Sequence, residues 1–376
     1  MKTKLCHELG MTLPLFAFTR SPEVVVAVSR AGGMGVQAAI GFSLEELKRC
    51  LDYIEEHVGG RPYGVDVVMP SGFVQPDGTK VTGGGAMAAA ADYRQMLPAE
   101  HVRFLDELLA RYHVPPLPAG ATAELAMHTW TDQVSRKQVD LALQYPIRLI
   151  ANALGPPPRE VIEQCHARGV KVAALVGSKE HARKQVEQGV DVIVAQGTEA
   201  GGHCGEISTM VLVPEVVDAV APTPVIAAGG IGGGRQLAAA LALGAQGGWC
   251  GSIWLTTVEG QIDAAVTRKL LKASSSDTVR SRAISGKPAR QLRSTWSEAW
   301  EDPKGPSPLP MPLQFLLTAE AVARIHQHAR ETGHDDLVTS PVGQIVGRMN
   351  ELRPVARVVE EIEAELEATQ RYLASL

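Results

Sequence analysis

The alternation of short apolar runs with helical segments constrains this chain more than any other feature. Eight runs rich in Val, Ile, Leu and Ala are typical of buried strands, and most precede a segment with helical spacing. This pattern favours an α/β fold closed as a (β/α)8 TIM barrel. An open doubly wound sheet is the alternative, but no G-x-G-x-x-G follows the first strand. The predicted strands are Leu13–Phe18, Gly35–Ile40, Tyr63–Val68, Ile147–Asn152, Val170–Val176, Val190–Ala195, Pro224–Ala228 and Gln246–Gly251.

Capping signals place helices between these strands. Ser43 and Glu46 form the pattern of a capping box, which starts a helix that extends to His57. Gly244 ends another helix, which begins at Gly234. Further helices are predicted at Pro22–Ala31, Arg159–Arg168 and Ser178–Gln188.

A long insertion, residues 70–146, follows the third strand. It contains a run of small residues at Gly83–Ala91 and helical patterns at Glu100–Tyr112 and Ser135–Gln144. Long insertions at the carboxyl end of a strand are usually functional. We therefore expect this one to form a lid or a wall of the pocket.

A C-terminal extension, residues 258–376, follows the last strand. Helical patterns lie near Thr318–Thr332 and at Val355–Leu373, the second of which is acidic with apolar residues on one face. We expect this helix to pack on the barrel or on a second copy of the chain, as in a homodimer. The predicted organisation is one barrel domain, residues 1–257 including the insertion, with this extension packed on it.

Composition excludes several classes of function. The 376 residues carry a net charge of −5 without a basic tract, which argues against nucleic acid as a partner. We find no secretory signal and no apolar run long enough for a membrane span. The five cysteines are far apart and lack a CxxC pair. They predict a reduced, cytoplasmic protein without a disulfide framework or a metal site.

The stretch Asp191–His203, D-V-I-V-A-Q-G-T-E-A-G-G-H, is the clearest candidate for an active site. A buried strand ends here in small and polar residues, and barrel enzymes place their chemistry at the carboxyl ends of strands. His203 is the candidate catalytic base, although it could also serve only to hydrogen-bond the loop. We expect Glu199 to anchor the loop by accepting backbone hydrogen bonds.

The loops after the seventh and eighth strands predict a phosphate site. Glycines at 229, 230, 232, 233 and 234 precede a helix, and Gly251 with Ser252 follows the eighth strand. In barrels, these two loops commonly hold a phosphate with backbone N–H groups and a helix N-terminus. A glycine-rich connection without a ligand is the alternative.

Several motifs together resemble the nitronate monooxygenase family, once called 2-nitropropane dioxygenases. These are Q-G-T-E-A-G-G-H, P-V-I-A-A-G-G-I, G-S-I-W-L at Gly251–Leu255, the stretch Ser21–Val36, and S-G-K-P-A-R at Ser285–Arg290. The resemblance covers most of the chain and is weakest in the insertion and the last forty or so residues. It implies an FMN-dependent barrel that oxidises alkyl nitronates or nitroalkanes with dioxygen.

Carried over by motif, the resemblance assigns roles to individual residues. It implies that His203 is the catalytic base over the face of the flavin. The residues that it places at the cofactor are Gly229, Gly230, Gly251 and Ser252 at the phosphate, Gln196, Gly201 and Gly202 along the flavin, and Ala17 and Asp66 as further contacts.

The chain also departs from the family. The Ala-Pro-Met turn after the first strand is replaced by Phe16–Ser21, a family asparagine is replaced by Asp66, and a flavin-holding lysine has no counterpart near Ile147–Asn152. Asp66 is either a contact of the flavin or the pocket, or a strand-end aspartate that caps a turn. These departures leave two other hypotheses: an FMN- and NAD(P)H-dependent reductase of an enoyl thioester or another activated alkene, and a phosphate-binding barrel without turnover.

Overall fold

A closed barrel of eight parallel strands organises the protein. The computed structural model describes residues 3–69, 73–74, 80–81, 97–118 and 132–376. Every barrel strand pairs in parallel with its neighbour, and the first closes the ring against the eighth. The predicted (β/α)8 TIM barrel is therefore confirmed. Its strands are β1 (Leu15–Thr19), β2 (Met34–Ala38), β3 (Tyr63–Val67), β4 (Leu149–Asn152), β5 (Lys171–Val176), β6 (Val192–Gln196), β7 (Val225–Ala228) and β8 (Gly248–Cys250).

Alternate residues of most strands build two separate cores. One set, which includes Phe16, Met34 and Val194, fills the interior of the barrel. The other set faces outward and packs against the surrounding helices. A short helix, α1 (Lys4–Leu9), adds its buried side chains to the interior cluster. The interior is thus a packed core, which leaves the loops at the carboxyl ends of the strands as the place for a site.

Most predicted helices are present, with ends that follow the capping signals. Ser43 and Glu46 form the predicted capping box. Ser21 and Ser178 each accept a hydrogen bond from the first turn of the helix that they start. The helices after α1 are α2 (Pro22–Arg30), α3 (Leu44–His57), α4 (Ala99–Arg111), α5 (Asp132–Ala142), α6 (Arg159–Ala167), α7 (Lys179–Glu187), α8 (Thr209–Val220), α9 (Gly234–Ala242), α10 (Ala264–Lys272), α11 (Thr295–Glu301), α12 (Leu313–Thr332) and α13 (Val355–Ala374).

Helix α8, between β6 and β7, was not expected from the sequence. It is rich in valine and contains Pro214, and both residue types disfavour a helix interior. Its buried positions Leu212, Val213 and Val216 pack in the outer core. Tertiary packing therefore outweighs the weak local preference.

The insertion contributes helices α4 and α5, close to their predicted positions. Two short strands, Phe73–Val74 and Lys80–Val81, pair with each other. The run Gly83–Ala91 lies outside the residues that the structure describes. No helix among the described residues is long and apolar enough to cross a membrane.

The C-terminal extension packs on the barrel in two ways. The strands Thr278–Ser281 and Ala289–Leu292 form a small antiparallel sheet with Gly202–His203, in the loop after β6. Helix α13 packs closely against α9: a Cβ on Gly234 would lie 2.2 Å from the backbone nitrogen of Leu366. The extension thus reaches the loops after both β6 and β7, where the sequence predicts the site.

Candidate active site

The loop after β6 is anchored by Glu199. Its Oε2 accepts hydrogen bonds from the backbone N–H of Thr209 at 2.9 Å and from the Thr209 hydroxyl at 2.8 Å. The same hydroxyl lies 3.0 Å from the carbonyl oxygen of Gly229, in the loop after β7. Glu199 therefore has the predicted anchoring role, and its contacts tie the two loops together.

His203 is held by the C-terminal extension. Its backbone pairs with Ala289, and its Nε2 lies 2.7 Å from the Oγ of Ser285. Burial, together with the positive charge of Lys287, lowers the pKa of His203 to about 4. The imidazole is therefore neutral at physiological pH and can accept a proton.

The contacts of Ser285 are compatible with a tautomer of His203 that leaves Nδ1 unprotonated. The Ser285 hydroxyl lies 3.3 Å from the carbonyl oxygen of Lys287 and accepts from the Lys287 N–H at 3.4 Å. If the hydroxyl donates to that carbonyl, Nε2–H of His203 donates to Ser285 Oγ. This tautomer leaves the lone pair on Nδ1, which is then the proton acceptor.

Arg290 fixes the same loop from the other side. Its guanidinium is buried, with Nε donating to the carbonyl oxygen of Thr198 at 2.7 Å and Nη1 donating to Thr278 Oγ1 at 3.1 Å. The sequence singled out Ser285–Arg290 only as a stretch of family resemblance. The structure shows that both ends of this stretch position the loop of His203.

Gly229 and Gly230 present free backbone N–H groups at the carboxyl end of β7. Their φ angles are +100° and +70°, a region that favours glycine. In the part of the chain that the structure describes, the amides of Gly229, Gly230, Ile231 and Ser252 have no hydrogen-bond partner. Unpaired amides at the ends of β7 and β8 are suited to bind an anion.

The second half of this glycine run has a different role, which corrects the prediction. The N–H of Gly234 donates to Oε2 of Glu365 at 2.9 Å, and Arg348 Nη2 lies 2.8 Å from the other carboxylate oxygen. A Cβ on Gly233 would lie 2.6 Å from Glu365 Oε2. The prediction that Gly234 leaves its amide open to a phosphate is wrong, because a carboxylate of α13 already accepts the hydrogen bond from this amide at the N-terminus of α9.

Another part of the extension lies against the loops after β6 and β8. The N–H of Gly343 donates to Ser252 Oγ at 2.8 Å, and the N–H of Gln344 donates to the carbonyl oxygen of Glu199 at 2.9 Å. A Cβ on Gly201 would lie 2.8 Å from the backbone of Gly343. Gly201 therefore serves close packing. No sequence signal identified Gly343 or Gln344, because they lie about ninety or more positions away from Ser252 and Glu199.

Four predicted cofactor residues face different surroundings. Gly202 has a φ of +75°, and a Cβ there would meet nothing within 4 Å, so this backbone borders open space. Gln196 ends β6 on the interior side, in alternation with Val192 and Val194. A Cβ on Gly251 would lie 3.6 Å from the ring of Phe18. The side chain of Ala17 lies in the outer core, so only its backbone could contact a ligand.

Asp66 lies across the barrel from these loops, next to the end of β3. Its carboxyl is buried, and its Oδ2 has no hydrogen-bond partner among the described residues. It therefore caps no described turn.

Comparison with known families places the chain in one of them. The sequence model of the nitronate monooxygenase family matches residues 12–365. The chain belongs to the nitronate monooxygenase family. It is 47% identical over 380 residues to a Mycobacterium tuberculosis protein named "Putative monooxygenase Rv1533". The alignment covers 100% of this chain and 99% of that protein.

Solved structures of similar proteins agree with the fold and the enzyme class. A nitroalkane oxidase from Streptomyces ansochromogenes is 27% identical, with a TM-score of 0.77 over 96% of this chain and 98% of that one. FabK from Thermotoga maritima is 26% identical, with a TM-score of 0.72 over 100% and 99% of the two chains. The protein is therefore an oxidoreductase, from a family that is generally flavin-dependent. Among the described residues, no cluster of His, Cys, Asp or Glu is arranged to hold a metal ion.

Proposed function

We propose that this enzyme oxidises alkyl nitronates and nitroalkanes with dioxygen, using FMN bound at the mouth of the barrel. The observation that carries this proposal is the neutral His203, which lies in the loop after β6 with its Nε2 2.7 Å from Ser285 Oγ, at the same end of the barrel as the free amides after β7. A neutral imidazole has an unprotonated ring nitrogen that can accept a proton from the substrate.

The residues of the mouth fit the cofactor. The unpaired amides of Gly229, Gly230 and Ser252 suit its phosphate, since backbone N–H groups bind phosphate oxygens well. The open backbone at Gly202 leaves room for a flat ring. When bound, FMN would supply the electron acceptor and the site at which dioxygen reacts.

The proton step belongs to His203. It takes a proton from the carbon next to the nitro group, the C–H bond breaks, and the electron pair remains on the substrate as a nitronate anion. Lys287 is an exposed cation whose positive charge acts on His203. Its charge favours both a nitronate substrate and the nitronate formed from a nitroalkane.

The test is His203→Asn, with His181→Asn as a control on the exposed surface of α7. We expect His203→Asn to retain FMN, to lose about 100-fold or more of kcat/KM for a neutral nitroalkane, and to lose much less for a preformed nitronate. A preformed nitronate has already lost the proton next to the nitro group, so its oxidation does not need the base. Equal losses for both substrates, or none, would remove His203 from the role of base.

The same preparation distinguishes the reductase alternative. Under anaerobic conditions, propionate 3-nitronate is expected to reduce the bound flavin, whereas NAD(P)H is not. Rapid bleaching by NAD(P)H alone would favour reduction of an activated alkene. A folded protein that cannot be loaded with FMN would reject both flavin functions.

A further inference from the structure

Asp66 carries its carboxyl into the interior of the barrel near the mouth. Its neighbours along β3, Val65 and Val67, belong to the outer core, so the alternation of a strand turns Asp66 inward. It pairs in register with Ala38 of β2 and Ala151 of β4. Asp66 is next to last in β3, at the end of the barrel where the site lies.

Among the residues that the structure describes, no charged group compensates this carboxyl. Its flanking strands β2 and β4 contain no ionisable side chain, and neither does the described interior cluster apart from the thiol of Cys6. Asp66 is 2% exposed, and Oδ2 has no partner in the described part of the chain. Burial, without any compensating charge, raises the pKa of Asp66 well above its usual 3.8. An unpaired buried carboxylate is costly, so protonation is the less costly state.

Protonation changes what Asp66 can bind. A carboxylate only accepts hydrogen bonds, whereas a carboxylic acid also donates one. The isoalloxazine ring of a flavin has carbonyl oxygens and ring nitrogens that accept, and one N–H that donates. A neutral acid therefore offers the ring the same pair of donor and acceptor as an asparagine amide.

We propose that Asp66 is a neutral carboxylic acid that donates a hydrogen bond to the flavin ring, which makes FMN binding depend on pH. This role rests on the proposed function. Because the bound ring would favour the protonated acid, FMN binding raises its pKa further. By linkage, the dissociation constant of FMN is constant while free Asp66 is protonated. It then rises about tenfold per pH unit until the bound form also ionises.

The test is the dissociation constant of FMN, measured on the full chain by flavin fluorescence between about pH 5 and pH 10. Asp66→Asn keeps a donor and an acceptor but cannot ionise in this range. We expect the ratio of the wild-type to the Asp66→Asn dissociation constant to rise with pH, by about tenfold per unit within the window. The titration of free FMN cancels in this ratio. Asp106→Asn, on the exposed side of α4, should follow the wild type.

Asp66→Ser is a second variant in case the amide folds poorly, and it is also expected to remove the added pH dependence. Parallel curves for the wild type and both variants would refute the role of Asp66 and leave the proposed function intact. Folded proteins that bind no FMN at any pH, as judged by circular dichroism and fluorescence, would refute the proposed function and this role together.

Discussion

The glycine run after β7 consists of two halves that use glycine for different reasons. In the first half, Gly229 and Gly230 have positive φ angles and amides without a described partner. In the second half, Gly233 and Gly234 allow α13 to approach α9, and Glu365 binds the Gly234 amide. One composition thus supports an open anion site and, a few residues later, a closed packing contact. The predictions below separate these two roles.

The largest effect is expected from Gly234→Val. Its Cβ would lie 2.2 Å from the nitrogen of Leu366 and 2.3 Å from the carbonyl oxygen of Ile362, and backbone atoms cannot move aside as a side chain can. We expect a loss of about 3 kcal/mol in the free energy of unfolding, measured with urea. Ala239→Val adds the same branching on the exposed side of α9 and should cost far less. Similar losses for the two variants would mean that α13 does not pack as described.

The second-largest effect is expected from Gly230→Ala, in the first half of the glycine run. Space for a methyl group exists, since the nearest atom is the Cβ of Glu199 at 3.5 Å, but the φ of +70° is strained for alanine. The strain is about 1–2 kcal/mol, and the backbone can relieve it by moving the free amides out of position. We therefore expect FMN binding to weaken about tenfold. Gly59→Ala has a similar φ of +65° and nothing within 4 Å, far from the mouth. It should lose stability but bind FMN normally; equal FMN affinity in both variants would contradict the phosphate site.

The smallest effect is expected from Glu365→Gln. Partial burial alone would raise the pKa of Glu365, but the hydrogen bonds from Arg348 and from the amides of Gly234 and Arg235 lower it below 4.5. A lowered pKa in the folded state stabilises the fold above about pH 4.5, and this contribution is lost as the pH falls through the folded pKa. We expect the variant to lose about 1 kcal/mol at neutral pH and the difference from the wild type to shrink in acid.

The control for this variant is Glu367→Gln, because Glu367 forms an exposed ion pair with Arg371 on the same helix. Exposed pairs contribute little, so its unfolding curve should match that of the wild type. FMN affinity should stay unchanged in Glu365→Gln. A large loss of FMN would show that the two halves of the loop act as one unit.

Local patterns were sufficient for the barrel strands. The eight apolar runs and the capping box at Ser43 predicted the observed elements to within a few residues, because these signals depend on near neighbours. Helix α8 was missed because proline and valine, which are prominent in its sequence, both disfavour a helix interior. Only burial against the barrel makes that segment helical, and burial is not visible in local composition.

The sequence by itself determined the barrel, the family resemblance and the candidate base His203. The tertiary structure decided what surrounds that base: Ser285 contacts it across 82 positions of the chain, and Arg290 holds its loop across 92. It also decided that Glu365 accepts the hydrogen bond from the N-terminus of α9 and that Oδ2 of Asp66 has no hydrogen-bond partner among the described residues. The physical reason is that periodicity and capping act between near neighbours, whereas hydrogen bonds and burial depend on which distant segments meet.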